Sequence, residues 1–277
     1  MTPQNRISVN RREFAQVSLA ASAGLFSSTG RNAWSQEFKS NATSPATIRN
    51  VVLTHGAFAD GSSWRHVIPL LEAKGLKITA VQNPLTSLGE DVATTRRVLA
   101  QQDGPTMLVG HSYAGFVITE AGNAPNVAGL AYISSYAPNR GESHDDLVKR
   151  FPAPAGISAI RMDRDGFLWI ARDEFHTAFV HDVDASYARI LAAVQKPVSK
   201  KGCFGVPVTD PAWKSKPSWF LVSANDRLIN PDLQLFMAKR MGATVSTIPS
   251  SHASLISHPT ETANLILEAV RSHGGSF

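Results

Sequence analysis

The sequence predicts an α/β fold in which helices cover both faces of a mainly parallel sheet. Short apolar segments of strand character alternate with helical segments along most of the chain, as in parallel sheets joined by crossover helices. The alternation stops between Tyr136 and Trp213, in a stretch rich in proline, glycine and aromatic residues. We expect this stretch to form a helical cap at about 137–213, inserted after the sixth strand. A mature length of about 240 residues suits one such domain with a large core.

Each predicted element follows from a local pattern. Strands are predicted where apolar, β-branched or aromatic residues form short runs between turn residues, at 51–54, 106–109, 217–223 and 244–248. Helices are predicted at 64–74, 88–101, 112–121, 230–241 and 260–272. Ser87 and Glu90 have the spacing of a capping box, which marks the start of the second of these helices.

A serine lies at the corner between the strand at 106–109 and the helix that follows it. The corner has the sequence Gly-His-Ser-Tyr-Ala-Gly, in which Ser112 stands two residues after Gly110. Small residues around the serine are typical of a nucleophile elbow, a sharp turn that projects the hydroxyl out of the sheet. The N–H groups at the start of the helix point towards any anion that forms beside the serine. The motif alone occurs often by chance. Its position between a predicted strand and a predicted helix is what indicates a nucleophile elbow.

Two later strand ends supply an acid and a base in the order that such an elbow requires, which is serine, then aspartate, then histidine. Asp226 follows the strand at 217–223, and His252 follows the strand at 244–248. A serine hydroxyl is a weak nucleophile near its free pKa. An imidazole must therefore take its proton, and a carboxylate must orient the imidazole.

Other interpretations of these polar residues stay open. Asp226 is also a common turn residue. His258 competes with His252, although its position before Pro259 favours a capping or surface role. His111 lies inside the elbow, where packing and hydrogen bonding are its expected roles. The remaining histidines show no close metal-ligand spacing with Cys, Asp or Glu, so we predict no metal site.

The loop after the strand at 51–54 is a candidate for half of an oxyanion-binding site. It begins with His55-Gly56-Ala57. In this architecture a backbone N–H of that loop pairs with the N–H of the residue that follows the nucleophile. The pair predicted here is Ala57 and Tyr113. The alternative is an ordinary glycine-rich turn between a strand and a helix.

These motifs carry a family resemblance. The chain resembles the α/β-hydrolase superfamily and, within it, the group of plant methylesterases, hydroxynitrile lyases and related bacterial esterases. The matching positions are 55–57, Trp64, 69–71, the elbow, 226–231 and 252–259. The resemblance implies that Ser112, Asp226 and His252 form a catalytic triad and that Ala57 and Tyr113 donate to the oxyanion. One departure is Ala114, where the group has glycine; we expect tight packing there rather than loss of the elbow.

The resemblance also bears on the reaction. Hydroxynitrile lyases of the group have threonine at the position of Gly56 and lysine directly after the catalytic histidine, where this chain has Ala253. We therefore expect a cofactor-free serine carboxylic-ester hydrolase that acts on a small, apolar or aromatic ester. The alternatives are a lyase or lactonase on the same fold, or a small-molecule receptor that keeps a triad. The aromatic residues expected to line the pocket are Phe58, Phe167, Trp169, Phe175 and Phe179.

The first 35 residues are predicted to be a twin-arginine signal segment, followed by the hydrolase domain at 36–277. Arg11-Arg12-Glu13-Phe14 precedes a mildly apolar run, and Ala33-Trp34-Ser35 has small residues at the two positions that a signal peptidase recognises. The run is too short and too rich in serine and alanine to span a membrane. We expect an exported, periplasmic or secreted protein without stable membrane anchoring; the alternative is an N-terminal tail.

Charge and cysteine content exclude other classes of protein. The predicted signal contributes +3 of the formal net charge of +5, which leaves +2 on the mature chain. With so little excess charge, nucleic acid is not expected as a partner. The single Cys203 cannot form an internal disulfide, and we expect it to pack in the cap.

Overall fold

The structure, a computed structural model, describes residues 47–274 and contains a central sheet of six parallel strands. The strands of this sheet are β1 (Asn50–Thr54), β2 (Lys77–Val81), β3 (Thr106–His111), β4 (Val127–Ile133), β8 (Ser218–Ser223) and β9 (Thr244–Ile248). Their order across the sheet is β2-β1-β3-β4-β8-β9, and every neighbouring pair is parallel. The four strands predicted from sequence are confirmed, and β2 and β4 are added to them.

Helices connect the strands, as parallel pairing requires. They are α1 (Ile68–Glu72), α2 (Leu88–Leu99), α3 (Ala114–Ala121), α7 (Pro231–Met241), α8 (Ser254–Ser257) and α9 (Pro259–Arg271). The helix predicted at 64–74 is shorter than expected, because a 3₁₀ turn at Gly61–Trp64 precedes it. The side chain of Ser87 caps α2 by accepting from the N–H of Glu90.

The strands at the middle of the sheet are buried on both faces. β1, β3 and β8 are buried along their whole length, whereas the edge strand β9 is partly exposed. Near-continuous apolar runs are typical of such central strands. Because the strands are parallel, the residues that follow β1, β3, β8 and β9 all lie at the same edge of the sheet. The loops that carry the candidate site residues therefore meet there.

The inserted cap follows β4, which is the fourth strand of the described residues; the sequence predicted it after a sixth strand. The described chain contains only four strand-forming segments before the insertion. The cap is also less helical than expected, because β5, β6 and β7 form an antiparallel sheet. Its elements are α4 (His144–Val148), β5 (Ile160–Met162), β6 (Phe167–Ile170), α5 (Phe175–Phe179), α6 (Ala185–Val194), β7 (Val198–Ser199) and a π-helical turn at Lys200–Phe204.

The predicted signal at 1–35, and its boundary with the domain at 36–277, lie outside the described residues. Within residues 47–274, no helix is both long enough and apolar enough to cross a membrane.

Candidate active site

Ser112 lies at a sharp turn between β3 and α3. Its φ of +55° is in the left-handed region, which a residue with a side chain occupies only when the surroundings hold it there. Its N–H donates to the carbonyl of Ile133 at 3.1 Å, and the hydroxyl of Ser135 donates to its carbonyl at 2.7 Å. A Cβ at Gly115 would overlap the carbonyl oxygen of Tyr136. The turn therefore needs glycine at Gly115, whereas Ala114 is accommodated at the start of α3, fully buried.

Ser112, His252 and Asp226 are joined by a chain of hydrogen bonds. The hydroxyl of Ser112 lies 2.8 Å from Nε2 of His252, and Nδ1 of His252 lies 2.7 Å from Oδ2 of Asp226. Because a carboxylate only accepts, Nδ1 carries the proton and Nε2 is free to accept one from the serine. All three side chains are buried. The structure thus brings together the three residues that the sequence placed at separate strand ends.

The carboxylate of Asp226 is held by three further donors. The N–H groups of Leu228 and Ile229 donate to Oδ1 at 2.8 and 2.9 Å, and the amide of Gln234 donates to Oδ2 at 2.8 Å. These donors fix the orientation of the carboxylate that faces His252. Asp226 therefore makes the local backbone bonds of a turn residue and, in addition, the bond to His252. Gln234 was not identified from the sequence.

His111 supports the loop that carries His252. Its Nε2 donates to the carbonyl of His252 at 2.9 Å, and burial lowers the pKa of His111 well below its usual range. A neutral, buried ring that bonds to backbone has the packing and hydrogen-bonding role predicted for it. His258 is the residue before α9, but its side chain makes no capping hydrogen bond; its Nδ1 lies 2.9 Å from the hydroxyl of Ser257 and 3.6 Å from Oδ2 of Asp182.

The two predicted oxyanion donors lie on the loops that flank Ser112. Among the described residues, no acceptor is bonded to the backbone N–H of Ala57 or of Tyr113, and both residues line the cavity beside Ser112. His55 fixes the loop of Ala57, because its Nε2 accepts from the N–H of Asn83 and its Nδ1 donates to the carbonyl of Gly56. Burial lowers the pKa of His55 to about 4, so this ring stays neutral.

A cavity of about 370 Å³ opens next to Ser112 and His252. Apolar side chains make most of its wall, and the core and the cap both contribute to them. These are Phe58, Ile157, Ile160, Met162, Leu168, Phe204, Leu228 and Ile229. Polar groups are few: the hydroxyl of Tyr136 lies 3.1 Å from Nε2 of His144, and Lys200 and Asp145 also line the cavity. Such a site suits a largely apolar ligand with a few oriented polar atoms.

Of the aromatic residues predicted to line the pocket, only Phe58 lines this cavity. Phe167 and Trp169 do not line this cavity, because side chains alternate across a strand and Leu168 is the residue of β6 that faces it. The indole of Trp169 donates instead to Asp163 at 3.1 Å. Phe175 and Phe179 are buried behind the site rather than in the cavity wall.

Phe179 still contacts the site from behind. Its ring meets that of His252 edge-on, with the centroids 5.2 Å apart. The ring of Phe175 lies 5.1 Å from that of Phe179. These two residues therefore support the imidazole of His252. In the described residues there is no group of three His, Cys, Asp or Glu side chains that could hold a metal ion.

Several residues at the candidate site were not predicted from the sequence. Tyr136, His144 and Phe204 line the cavity, and nothing in their local pattern marks them. Asp91 is a fully buried carboxylate whose Oδ2 accepts from the hydroxyl of Tyr113 at 2.8 Å. The position of Asp91 in the sequence could have identified it. It lies on the buried face of α2, among Leu88, Thr95 and other buried residues, where a carboxylate is not expected.

The fold defines an α/β hydrolase, and comparison with known proteins agrees with this class. The model of the alpha/beta hydrolase family matches residues 51–265. The chain belongs to that family. The predicted superfamily and the predicted α/β-hydrolase fold are thereby confirmed.

Two curated relatives match parts of the chain. The carbendazim hydrolyzing esterase of Nocardioides sp. (strain SG-4G) is 30% identical over 159 residues, which cover 52% of this chain and 64% of the relative. The pyrethroid hydrolase of Sphingobium wenxiniae is 30% identical over 142 residues, or 41% of this chain and 51% of the relative. The chain therefore spans between 51% and 64% of the length of these relatives.

Solved structures extend the likeness in fold to most of the chain. A methylesterase from Arabidopsis superposes with a TM-score of 0.67 at 18% identity, over 81% of this chain and 100% of that chain. At this identity the superposition concerns the fold alone.

Proposed function

We propose that this protein is a serine carboxylic-ester hydrolase that works without a cofactor. The observation that carries the proposal is the unbroken hydrogen-bond chain from Ser112 Oγ through His252 to Asp226, with distances of 2.8 and 2.7 Å, at the wall of a cavity. The relatives that match the chain have esterase or hydrolase in their names. The hydrogen-bond chain supports acyl transfer, and the names of the relatives support hydrolysis.

The geometry supports a two-step reaction. Ser112 Oγ attacks the acyl carbon while Nε2 of His252 takes its proton, and Asp226 stabilises the imidazolium that results. When the tetrahedral intermediate collapses, His252 returns the proton to the departing alkoxide and the alcohol leaves. Water then attacks the acyl-enzyme by the same proton transfers in reverse and releases the acid.

The negative charge of the intermediate needs donors that are already in place. The N–H groups of Ala57 and Tyr113 flank Ser112 and bond to no acceptor among the residues described. Preorganised N–H groups of this kind are the usual oxyanion donors in acyl transfer, and loss of one costs about 10²–10³ in rate. We assign both N–H groups to the oxyanion.

The cavity favours a small ester with an apolar or aromatic group. Its volume of about 370 Å³ and its mainly apolar wall select against charged and extended substrates. Phe58, Phe204 and Leu168 offer flat or branched surfaces for such a group. The Tyr136 hydroxyl and the His144 ring supply the few polar contacts. Burial lowers the pKa of His144, so it faces the cavity as a neutral ring at pH 7.

The test is a panel of p-nitrophenyl esters with the purified protein. We expect a burst of p-nitrophenol followed by steady turnover, with short-chain and aromatic acyl groups preferred. Ser112→Ala should lower kcat by at least about 10⁴, and a fluorophosphonate should label Ser112 alone. The control is Ser158→Ala, which removes an exposed hydroxyl of the cap and should leave turnover unchanged.

Two outcomes contradict the proposal. A single slow turnover without steady hydrolysis favours a receptor that keeps a triad. Full activity of Ser112→Ala, with labelling of another serine, excludes Ser112 as the nucleophile.

A further inference from the structure

Asp91 connects three parts of the molecule beneath the candidate site. It belongs to α2 and is fully buried. Its Oδ1 accepts from the N–H of Leu85 at 2.9 Å, and its Oδ2 accepts from the hydroxyl of Tyr113 at 2.8 Å. The Sγ of Cys203, in the π-helical turn of the cap, lies 3.9 Å from the same Oδ2. One carboxylate thus contacts the loop before α2, the residue after Ser112 and the cap.

A buried carboxylate is costly, and the local structure of α2 does not require one. Burial raises the pKa of Asp91 to about 6, although the hydrogen bonds from Leu85 and Tyr113 act in the opposite direction. The start of α2 is already capped by the side chain of Ser87. An apolar residue at this face of the helix would avoid the desolvation cost. Two contacts set Asp91 apart from an ordinary helix residue. One holds the N–H of Leu85, whose φ is +61°, and the other, with the hydroxyl of Tyr113, is the one that reaches the candidate site.

Tyr113 is held at both ends. Its backbone is bonded to that of Ser112, and its hydroxyl donates to Asp91. The ring meets that of Phe204 edge-on at 5.4 Å and stacks near that of Phe116 at 6.3 Å. The direction of the Tyr113 N–H depends on the backbone at the turn, and the turn includes the strained φ of Ser112. An anchored side chain limits how far that backbone can rotate.

We propose that Asp91 is a positioning residue for the oxyanion site, because its bond to the Tyr113 hydroxyl fixes the Tyr113 N–H beside Ser112. This inference rests on the proposed ester hydrolysis. It adds a link to the substrate cavity, since Lys200 and Phe204 of the same π-helical turn as Cys203 line that cavity. Asp91 itself does not line the cavity and touches no substrate.

The expected effect is specific to the transition state. An oxyanion donor acts only when it lies about 2.7–3.1 Å from the oxygen that becomes charged. Loosening the Tyr113 backbone therefore weakens binding of a tetrahedral adduct more than binding of the planar ester. Loss of a positioning residue therefore weakens binding of the tetrahedral adduct selectively. Loss of a purely structural residue lowers the stability of the protein without this selective effect.

The experiment compares Asp91→Leu, Tyr113→Phe and the double variant with the wild type, because an asparagine at position 91 could still donate its amide to the Tyr113 hydroxyl. Kinetic constants are measured with a p-nitrophenyl ester, and the inhibition constant is measured for an aryl boronic acid that forms a tetrahedral adduct on Ser112. Each single variant should lower kcat about 10-fold or more, less than complete loss of a donor. The KM should stay within about threefold, and boronate affinity should fall by the same factor as kcat. In kcat and in boronate affinity the double variant should be no worse than the worse single one, because Asp91→Leu and Tyr113→Phe remove the same hydrogen bond between residues 91 and 113.

A matched control is available in Tyr132→Phe. The hydroxyl of Tyr132 lies 2.9 Å from Oγ1 of Thr119, and both residues are as buried as Asp91. Loss of this hydroxyl removes a buried hydrogen bond elsewhere on α3 and β4. It should lower the melting temperature and leave kcat and the boronate affinity unchanged.

Failure of the inference is distinct from failure of the proposed function. If the wild type hydrolyses esters and the variants match Tyr132→Phe, the positioning role of Asp91 is overturned alone. If the wild type hydrolyses no ester, the proposed function fails, and the rate at which diethyl p-nitrophenyl phosphate modifies Ser112 is compared instead. Equal rates in wild type and variants, or no modification at all, then overturn the inference too. If Asp91→Leu does not fold, Tyr113→Phe alone decides the outcome.

Discussion

The amide of Gln234 donates to Oδ2 of Asp226, the same carboxylate oxygen that accepts from His252. The orientation of this amide is set from its other side, because the N–H of Ser223 donates to Oε1 of Gln234 at 3.2 Å. The NH₂ group must therefore face Asp226. Oδ1 is occupied as well, by the N–H groups of Leu228 and Ile229. The four groups that hydrogen-bond to the Asp226 carboxylate are therefore all donors.

This arrangement predicts the effect of Asp226→Asn. The amide oxygen of the asparagine would face the two backbone donors, and its NH₂ would then face His252 and Gln234. His252 would have to accept at Nδ1 and carry its proton on Nε2, where it cannot take one from Ser112. We expect kcat to fall by about 10⁴ with folding preserved. Circular dichroism and ester kinetics measure the two effects.

The control for this change is Asp232→Asn. Asp232 is an exposed acid in the first turn of α7, a few residues from Asp226 in sequence. Its variant should keep kcat within about twofold. Near-normal activity of Asp226→Asn would mean that another carboxylate orients His252.

A second prediction concerns the space around Ser112. A Cβ at Gly56 would lie 2.8 Å from Cβ of Ser112 and 3.0 Å from Nδ1 of His111. Gly56→Ala should therefore displace the elbow, lower the free energy of unfolding by about 1–3 kcal/mol and lower kcat at least tenfold. Urea unfolding and ester kinetics test both expectations.

Gly89→Ala is the matched control. Gly89 lies in the first turn of α2, and a Cβ there would meet no atom within 4 Å. Alanine at such a helix position should stabilise the protein by about 0.5–1 kcal/mol and leave kcat unchanged. If Gly56→Ala and Gly89→Ala change kcat and the free energy of unfolding alike, crowding at Ser112 does not cause the losses in Gly56→Ala.

The sequence predicts the strands that lead to Ser112, Asp226 and His252 but not the residues that surround these three side chains. Apolar runs between turn residues identify β3, β8 and β9, and parallel pairing then brings their ends together without further information. The cavity depends on the cap, where a shift of one residue along β6 exchanges Leu168 for Phe167 or Trp169. No local pattern fixes that register, because it follows from the pairing of Leu168 with Met162. Contacts such as Asp91 with Tyr113 join segments distant in sequence, and composition alone does not reveal them.

A third prediction uses the ionisation of Asp91. Its pKa is raised from 3.8 to about 6 in the folded protein, mainly by burial. The folded state therefore binds this proton more tightly than the unfolded state. The group's contribution to the free energy of unfolding is full below pH 4 and is lost as the pH rises from about 4 to about 6. Lys196 and Glu90 also act on this carboxyl, in opposite directions.

Asp91→Asn removes this titration. The difference in free energy of unfolding between the variant and the wild type should move in favour of the variant by about 2–3 kcal/mol between pH 4 and pH 7. Urea unfolding of both proteins at a series of pH values measures the difference. The other titrating groups cancel in the comparison. A pH-independent difference would contradict the raised pKa.

A fourth prediction concerns the class of reaction. The residue after His252 is the buried Ala253, where the lyases that the chain resembles have lysine. An expelled cyanide has no ammonium at that position to stabilise it. We therefore expect no release of cyanide from mandelonitrile above the buffer rate. A cyanide electrode measures it, and release that disappears in Ser112→Ala would show that the site is a lyase.

The fifth prediction concerns export, which we propose from the arginine pair at Arg11 and Arg12. The planar guanidinium makes several fixed hydrogen bonds, and a lysine has the same charge without that geometry. Replacing both arginines with lysine should therefore leave an active, uncleaved enzyme in the cytoplasm. The wild type should appear outside the inner membrane with its N-terminus near Gln36. Cell fractionation and mass spectrometry of the intact protein show whether the wild type and the double variant differ in location and in N-terminus. Wild-type enzyme that keeps its first 35 residues and stays in the cytosol would mean that this segment is a tail and not a signal.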